Sequence, residues 1–539
     1  MIPTEDIKSI ISEKNIGAGN FIHHLNNYFL KIGKSGSKIT CDVPTHYNTE
    51  EEMSQFEIND LIEISNQLSG AYIALGVQKR EPVALYFDDT IDYLINFIAL
   101  NNIGAFPIFV NGELSSYIAF QFLSNSGARF IVSNEQRISE LNNKSTDFKF
   151  ITPNILNTLK KPITDYYQHH PKDTILLGHT SGTTGFPKPV IFTHESMFHG
   201  ILQEVGKQRG KQILSTFPHS HGASMTLIML TLMRGAAIHI QSRKTAVHIL
   251  DTIEKIKPDT VAAFPKIFVD ICREDLDSWD LSSISHWVST GDANHESHIR
   301  KLISYGHHFV DGKKTHGSFF IDNLGSSEFA FAIFRNIHQP TTERYDRCIG
   351  KPFSWVDAAI FDTDGNKLPD NKIGMLGVIS KSVTAGYWNN HLLTEKNRMN
   401  GYWLTGDLVY RTDDGFFYHV DRTSDWINTP DGPLYSTQCE EWLLKNIDSI
   451  FDISIVSISM PDSTQQITAI VELKAEYVIS PTTLLQEINS YNQKKQWPLI
   501  DNIVHESANK YLGVTGKKLK RKIRDHIPEN DLIITKEGN

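Results

Sequence analysis

Cysteine is scarce in this chain. Four are spread over 539 residues, Cys41, Cys272, Cys348 and Cys439, with no Cys-x-x-Cys pair among them. That excludes a disulfide-stapled scaffold and a zinc ribbon, and fits a reducing compartment. Long apolar runs are missing too. The most apolar stretch, residues 225–233, stops at Arg234 and is about half of the roughly 20 residues that a membrane-spanning helix needs. The opening MIPTEDIKSIISEK carries acids early and has no apolar core, so it does not read as a secretory signal. Positive charge is in deficit. Lys and Arg total 52 against 62 Asp and Glu, a net charge of −10, which argues against non-specific nucleic-acid binding as the main task. No tract is low in complexity. With 40% hydrophobic and 21% charged residues, the composition is that of a globular protein of about three or four structural units. A soluble, cytoplasmic protein is the expectation.

What is present begins with an alternation of helix and strand. Ile91, Leu94, Ile95, Ile98 and Ala99 recur at helical spacing, predicting a helix over 90–102 with one apolar face. Short apolar runs flank it at 83–87 and 106–110, and a second helix over 115–123 leads to a strand at 130–133. The rhythm returns with a helix at 246–256 and strands at 260–264 and 286–289. Helices between short buried strands imply right-handed crossovers and mostly parallel sheets. After Arg422 the texture changes. Ile467, Ala469, Val471 and Leu473 alternate with their neighbours, predicting a strand buried on one face. Ser480-Pro481 reads as an N-cap with Pro at the first helical position, ahead of Leu484, Leu485 and Ile488. The expected fold is α/β: a large N-terminal domain, residues 1–422, of two stacked, mostly parallel α/β layers, and a small mobile α+β domain over 423–539. The turn-rich stretch 421–433 is the expected hinge.

Chemistry concentrates in residues 180–190, Thr-Ser-Gly-Thr-Thr-Gly-Phe-Pro-Lys-Pro-Val, behind a strand-like 174–177. Gly182 and Gly185 allow tight turns that present backbone N–H groups. Thr180, Ser181, Thr183 and Thr184 add hydroxyls, and Lys188 adds a charge, so the loop suits a polyphosphate. Its spacing is not that of a Walker A loop.

The string closely resembles the signature loop of the adenylate-forming superfamily of acyl-CoA synthetases, luciferases and peptide-synthetase adenylation domains. The resemblance continues in order along most of the chain: Ser289-Thr290-Gly291-Asp292-Ala293, Leu324-Gly325-Ser326-Ser327-Glu328, residues 374–386, Tyr402-Trp403-Leu404-Thr405-Gly406-Asp407, Asp421-Arg422, and Gly516-Lys517. It implies a reaction in two halves. A carboxylate attacks the α-phosphate of ATP to give an acyl-adenylate and pyrophosphate, and a thiol, of CoA or of a phosphopantetheinyl carrier protein, then displaces AMP. The same resemblance implies the roles. The loop Thr180–Lys188 holds the β- and γ-phosphates. Gly291, Asp292 and Ala293 form the adenine pocket, and Asp407 accepts the ribose hydroxyls with Arg422 beside it. Ser327 supplies a phosphate-binding hydroxyl, Glu328 binds Mg²⁺, Lys517 reaches the α-phosphate, and His221 flanks the acid and the entry of the nucleophile. For the basic run 517–524 the alternative is a solvated helix.

Several positions depart from the family pattern. Leu324 replaces the aromatic residue that stacks on adenine, Pro189 removes one N–H after the loop lysine, Ser424 takes the pivot position, and Asn428 and Cys439-Glu440-Glu441 match loosely. Ser424 and Asn428 lie in the hinge segment and Cys439-Glu440-Glu441 shortly after it, so adenylation is better supported than thiol transfer. A carboxylic acid–CoA ligase leads. An enzyme that loads a carrier protein in trans or forms an amide, and a non-catalytic binding homologue, are the alternatives. No acidic residue lies beside His221, which leans away from α-amino acid substrates. His219 and His221 lack a third ligand at zinc spacing, and surface loops are expected at His169-His170 and His307-His308.

Overall fold

The computed structural model describes residues 1–47, 52–142, 148–180, 186–207, 209–460, 464–513 and 517–526. Two large sheets carry the body. The first has six strands, five of them parallel around Pro82–Tyr86, with Pro189–Thr193 antiparallel at one edge. In Pro82–Tyr86, Phe106–Val110 and Phe130–Ser133 nearly every side chain is buried, because helices cover both faces of a parallel sheet. The second sheet has 14 strands. From Ile39–Cys41 through Ala237–Ile240, Gln212–Ser215, Thr260–Ala263 and His286–Thr290 to Phe319–Leu324 its neighbours are parallel. Beyond Phe319–Leu324 it continues as an antiparallel meander that includes Tyr402–Arg411 and Phe417–Arg422.

The expected α/β class is the observed one, with the antiparallel half as an addition. Four local expectations are corrected. The helix Asp92–Asn102 is buried all round rather than on one face, since it lies within the main core. The strand Gln465–Leu473 is also covered on both faces. Ile467, Ala469 and Val471 meet the helices Ser436–Asn446 and Pro481–Lys494, while Ile470 meets Val456, Tyr511 and Ile523 on the other side. His169 is not in an exposed loop: it is buried and stacked on His194 at 4.8 Å. His307 and His308 begin a two-stranded hairpin, His307–Val310 with Lys313–His316.

Residues from Ile427 onward build a three-stranded sheet, Ile450–Ser459, Gln465–Leu473 and Asn502–His505. Ser480 caps the helix Pro481–Lys494 by accepting the Thr483 N–H, as the Ser-Pro pair foretold. No helix among the described residues is long and apolar enough to cross a membrane.

Candidate active site

Three parallel strands, Thr260–Ala263, His286–Thr290 and Phe319–Leu324, end side by side, at the edge where open α/β sheets receive ligands. The chain leaves the middle strand at Gly291 with φ +95°, and a Cβ there would stand 2.9 Å from the Phe264 ring, so glycine is required. Asp292 and Ala293 follow, the Asp292 carboxylate accepting the Ala293 N–H at 2.9 Å. On the neighbouring strand Asp322 and Leu324 face the same cleft. Burial pushes the Asp322 carboxyl up to about 6, opposed by the Asn294 amide, which donates to it at 2.8 Å. Leu324 offers no ring, but Tyr345 and His338, stacked at 4.7 Å, line the cleft as well.

The opposite wall comes from the antiparallel meander, whose register pairs Asp407 with Arg422. The Arg422 guanidinium donates to Asp407 Oδ1 at 2.8 Å, and His419 Nε2 lies 3.3 Å from the same oxygen. Burial alone would raise the Asp407 carboxyl; Arg422 and His419 outweigh it and hold the group well below the usual carboxylate range. Asp407 is therefore ionised, an acceptor suited to two hydroxyls.

Just past the strand Thr174–His179, Thr180 N–H donates to the Lys188 carbonyl and Lys188 N–H donates to Thr180 Oγ1, both at 3.2 Å. These bonds close the neck of the loop. Ser181, Gly182, Thr183, Thr184 and Gly185 lie outside the described residues. Ser327 Oγ donates to the His179 carbonyl at 3.0 Å, which ties the Glu328 turn to the start of that loop. Glu328 Oε1 accepts the Tyr387 hydroxyl at 2.8 Å, and the Lys188 ammonium lies 5.8 Å from the centre of the same ring. A single carboxylate held by one oxygen keeps a second hard oxygen for Mg²⁺. That ion takes few protein ligands when phosphates and water supply the rest. The residues thus fit a magnesium nucleotide.

Lys517 enters from the C-terminal region and lines the cleft with Asp292, Glu328, Asp407 and Arg422. Burial lowers its ammonium pKa, opposed by Asp292. Two further lysines of the basic run are not simply solvated. Lys518 pairs with Asp452 at 2.5 Å, and Lys520 with Glu440 at 2.7 Å. His221 is the one described candidate that does not line this cleft. It caps the helix Gly222–Met233, its Nδ1 accepting the Ala223 N–H, and meets the Phe264 ring edge-on at 5.0 Å. Burial, then His179 and Lys517, pull its pKa down to about 3. The imidazole is neutral with its proton on Nε2, a hydrogen-bond donor rather than a base.

The structure thus gathers Thr180, Lys188, Gly291, Asp292, Ala293, Ser327, Glu328, Asp407, Arg422 and Lys517 around one cleft of about 400 Å³, within the range of small-molecule sites. Sequence reasoning missed Tyr387, His419 and Asp322. Tyr387 lies one residue beyond the segment 374–386 that the resemblance covers. Nothing in the sequence singles out His419.

The described residues of this cleft, with Asp407 ionised and Lys517 reaching in from the C-terminal region, are those of an AMP-forming enzyme of the acid–thiol ligase type. The chain belongs to the AMP-binding enzyme family, whose model matches residues 46–388. It is 32% identical to a 3-aminoavenalumate diazotase of a Streptomyces species, over 97% of this chain and 98% of that one. It is 27% identical to a putative acyl–CoA ligase of Bacillus subtilis over 74% of this chain and 80% of the relative. The fold matches that of an anthranilate CoA ligase solved with anthranoyl-AMP, with a TM-score of 0.80 at 18% identity over 97% and 98% of the two chains.

Proposed function

We propose that the chain adenylates a small carboxylic acid with ATP and Mg²⁺ and passes the acyl group to a thiol, that of CoA ahead of a carrier protein. The observation that carries this reading is the convergence of Lys517, Glu328 and Asp407, from separate parts of the chain, on one cleft. Asp407 holds the ribose and Arg422 keeps Asp407 charged. Gly291 to Ala293 form one wall of the adenine pocket. The loop from Thr180 through Lys188, with Ser327, holds the β- and γ-phosphates, and Glu328 takes the magnesium, which neutralises phosphate charge. One carboxylate oxygen attacks the α-phosphorus, the bond to the bridging oxygen breaks, and pyrophosphate leaves. Lys517 offsets the charge that gathers at phosphorus. It does so without proton transfer, so positioning and electrostatics supply the rate. In the second half a thiol sulfur attacks the acyl carbon, AMP departs with the C–O electron pair, and the thiol proton goes to solvent. His221 and Phe264 flank the acid, His221 as a donor. On this reading residues 1–422 and 423–539 are two domains hinged over 421–433, working in the cytoplasm.

A second reading rests on the match to a diazotase over nearly the full length of both chains. Nitrite has the two-oxygen shape of a carboxylate. Its oxygen, adenylated in the same cleft with loss of pyrophosphate, becomes part of a nitrosyl donor. An aromatic amine attacks the nitrosyl nitrogen and AMP leaves; proton shifts and loss of water then give the diazonium ion. One assay separates the readings: pyrophosphate release from ATP with aromatic acids, with and without CoA, and with nitrite plus an aminoaryl acid. A thioester peak supports the first reading. A diazonium that couples to a coloured azo product supports the second. No pyrophosphate under any condition sinks both.

A further inference from the structure

Apart from the catalytic groups, a set of buried ionisable side chains lies where the C-terminal region meets the body. The helix Glu296–Ile303 starts four residues after Asp292, and His295 is its N-cap residue. Glu441, on the helix Ser436–Asn446, inserts its carboxylate at that N-terminus. Its Oε2 meets His295 Nδ1 at 2.6 Å and its Oε1 accepts the Glu296 N–H at 3.0 Å. The two side chains are only 10% and 7% exposed. Burial would raise the Glu441 carboxyl, but His295, then Arg347 and the Glu296 N–H, pull it down to about 2. A carboxylate at a helix N-terminus takes a backbone donor and the positive end of the helix dipole together. Weaker pairs surround the seat. Lys445 lies 3.1 Å from Asp346 and 3.3 Å from Glu296, and Arg273 donates to both oxygens of Glu472 at 3.0 Å. Asn294, His295, Glu296 and Glu441 all line the cleft, so the seat is part of its rim.

We propose that Glu441 is a positioning residue: seated by His295 and the Glu296 N–H, it holds the C-terminal region in the pose that brings Lys517 into the nucleotide cleft. The seat follows directly on Gly291–Ala293, so a nucleotide that orders this segment also orders the seat. Nucleotide binding and the arrival of Lys517 are thereby coupled. The role given to Lys517 rests on the adenylation reading; the seat itself does not.

The test uses the full chain with Mg²⁺ and ATP and needs no knowledge of the acid. Hydrogen exchange is followed in the 296–303 and 436–446 helices for the parent, Glu441→Gln, Glu441→Ala and His295→Asn, with Glu476→Gln at an exposed site as control. An amide in place of the carboxylate sets a donor against a donor at one of the two contacts. In the parent, ATP should slow exchange at both helices. We expect Glu441→Gln and Glu441→Ala to speed it at least tenfold at both and to abolish the ATP effect. His295→Asn, which keeps an N–H near the Nδ1 position, should lose less. The sheet strands should exchange as in the parent. Unchanged exchange at both helices in Glu441→Ala, or equal acceleration throughout the chain, overturns the proposal. Adenylation with an accepted acid is the second readout: Glu441→Gln should lower its rate tenfold or more while ATP affinity moves less than threefold. Equal losses in the two overturn the positioning role. If exchange opens as expected but Lys517→Ala adenylates normally, the role of Lys517 fails and the seat stands.

Discussion

The body and the C-terminal region are held together internally in one way and joined to each other in another. Each has its own apolar cores. Every hydrophobic cluster among the described residues draws its members either from positions up to Phe417 or from positions from Ile427 on, and none mixes the two. Between them lie charge pairs, His295 with Glu441, Arg273 with Glu472, Lys445 with Glu296 and Asp346, and the ring of Phe451, which meets His298 at 5.6 Å and Arg273 at 4.6 Å. Apolar packing is dense and hard to rearrange, whereas most surface ion pairs are individually weak. A body with fixed walls and a region docked by ions is what the chemistry needs if one lysine must come and go. Asp407 and Glu328 belong to the fixed part, locked by Arg422 and Tyr387. Lys517 belongs to the docked part.

The sharpest way to break this comparison is Lys517→Ala. Removing one preorganised donor to developing charge costs about 100- to 1,000-fold in rate. ATP affinity, set by the fixed walls, should stay within a few-fold, as ATP titration and pyrophosphate release on the same sample will show. Asp322→Asn probes the fixed wall itself. Its carboxyl is raised to about 6, so its ionisation opposes folding above pH 6, and that cost fades as pH falls toward the ordinary carboxylate value near 4. The amide should raise thermal stability at pH 7.5 by about 2 kcal/mol, allowing for water in the cleft, and have almost no effect near pH 4. Melting curves at the two pH values check the sign. Glu328→Gln keeps the shape and loses the charge that a hard cation wants. The Mg²⁺ concentration for half-maximal pyrophosphate release should rise about tenfold, roughly 1.4 kcal/mol, while Tyr387→Phe, which only frees the carboxylate to turn, should raise it less. The smallest change is Arg273→Ala, at the outer edge of the seam. Double-mutant coupling to Glu472 should be at most about 1 kcal/mol and should fade with salt.

How much of this was legible beforehand follows the range of the interactions. The strands Phe106–Val110 and Phe130–Ser133 and the helix Ala246–Ile256 stand where their local patterns put them, because periodicity and caps are local signals. Thr180, Lys188, Gly291 to Ala293, Ser327, Glu328, Asp407, Arg422 and Lys517 were legible in short, contiguous motifs, whereas Asp322, Tyr387 and His419 of the same cleft were not. Asp92–Asn102 was misjudged because its pattern cannot report what covers its other side. The seam was invisible: His295 and Glu441 are 146 positions apart, and the loose motif match at Cys439-Glu440-Glu441 names no partner. The solvated helix stayed open as the alternative for the basic run because the partners of Lys518 and Lys520, Asp452 and Glu440, are remote in sequence. The antiparallel half of the large sheet carries no crossover helices, so the helix–strand rhythm said nothing of it.

The central claim is that this cleft transfers AMP from ATP to a small oxyanion with Lys517 supplied by the docked region. Its most direct test is pyrophosphate release from Mg²⁺ and ATP across a panel of aromatic and aliphatic acids, nitrite included, for the parent and Lys517→Ala side by side. The account predicts release with at least one member of the panel and a loss of about 100-fold or more in the variant. ATP binding with no release from any acid, or equal release from parent and variant, would contradict it.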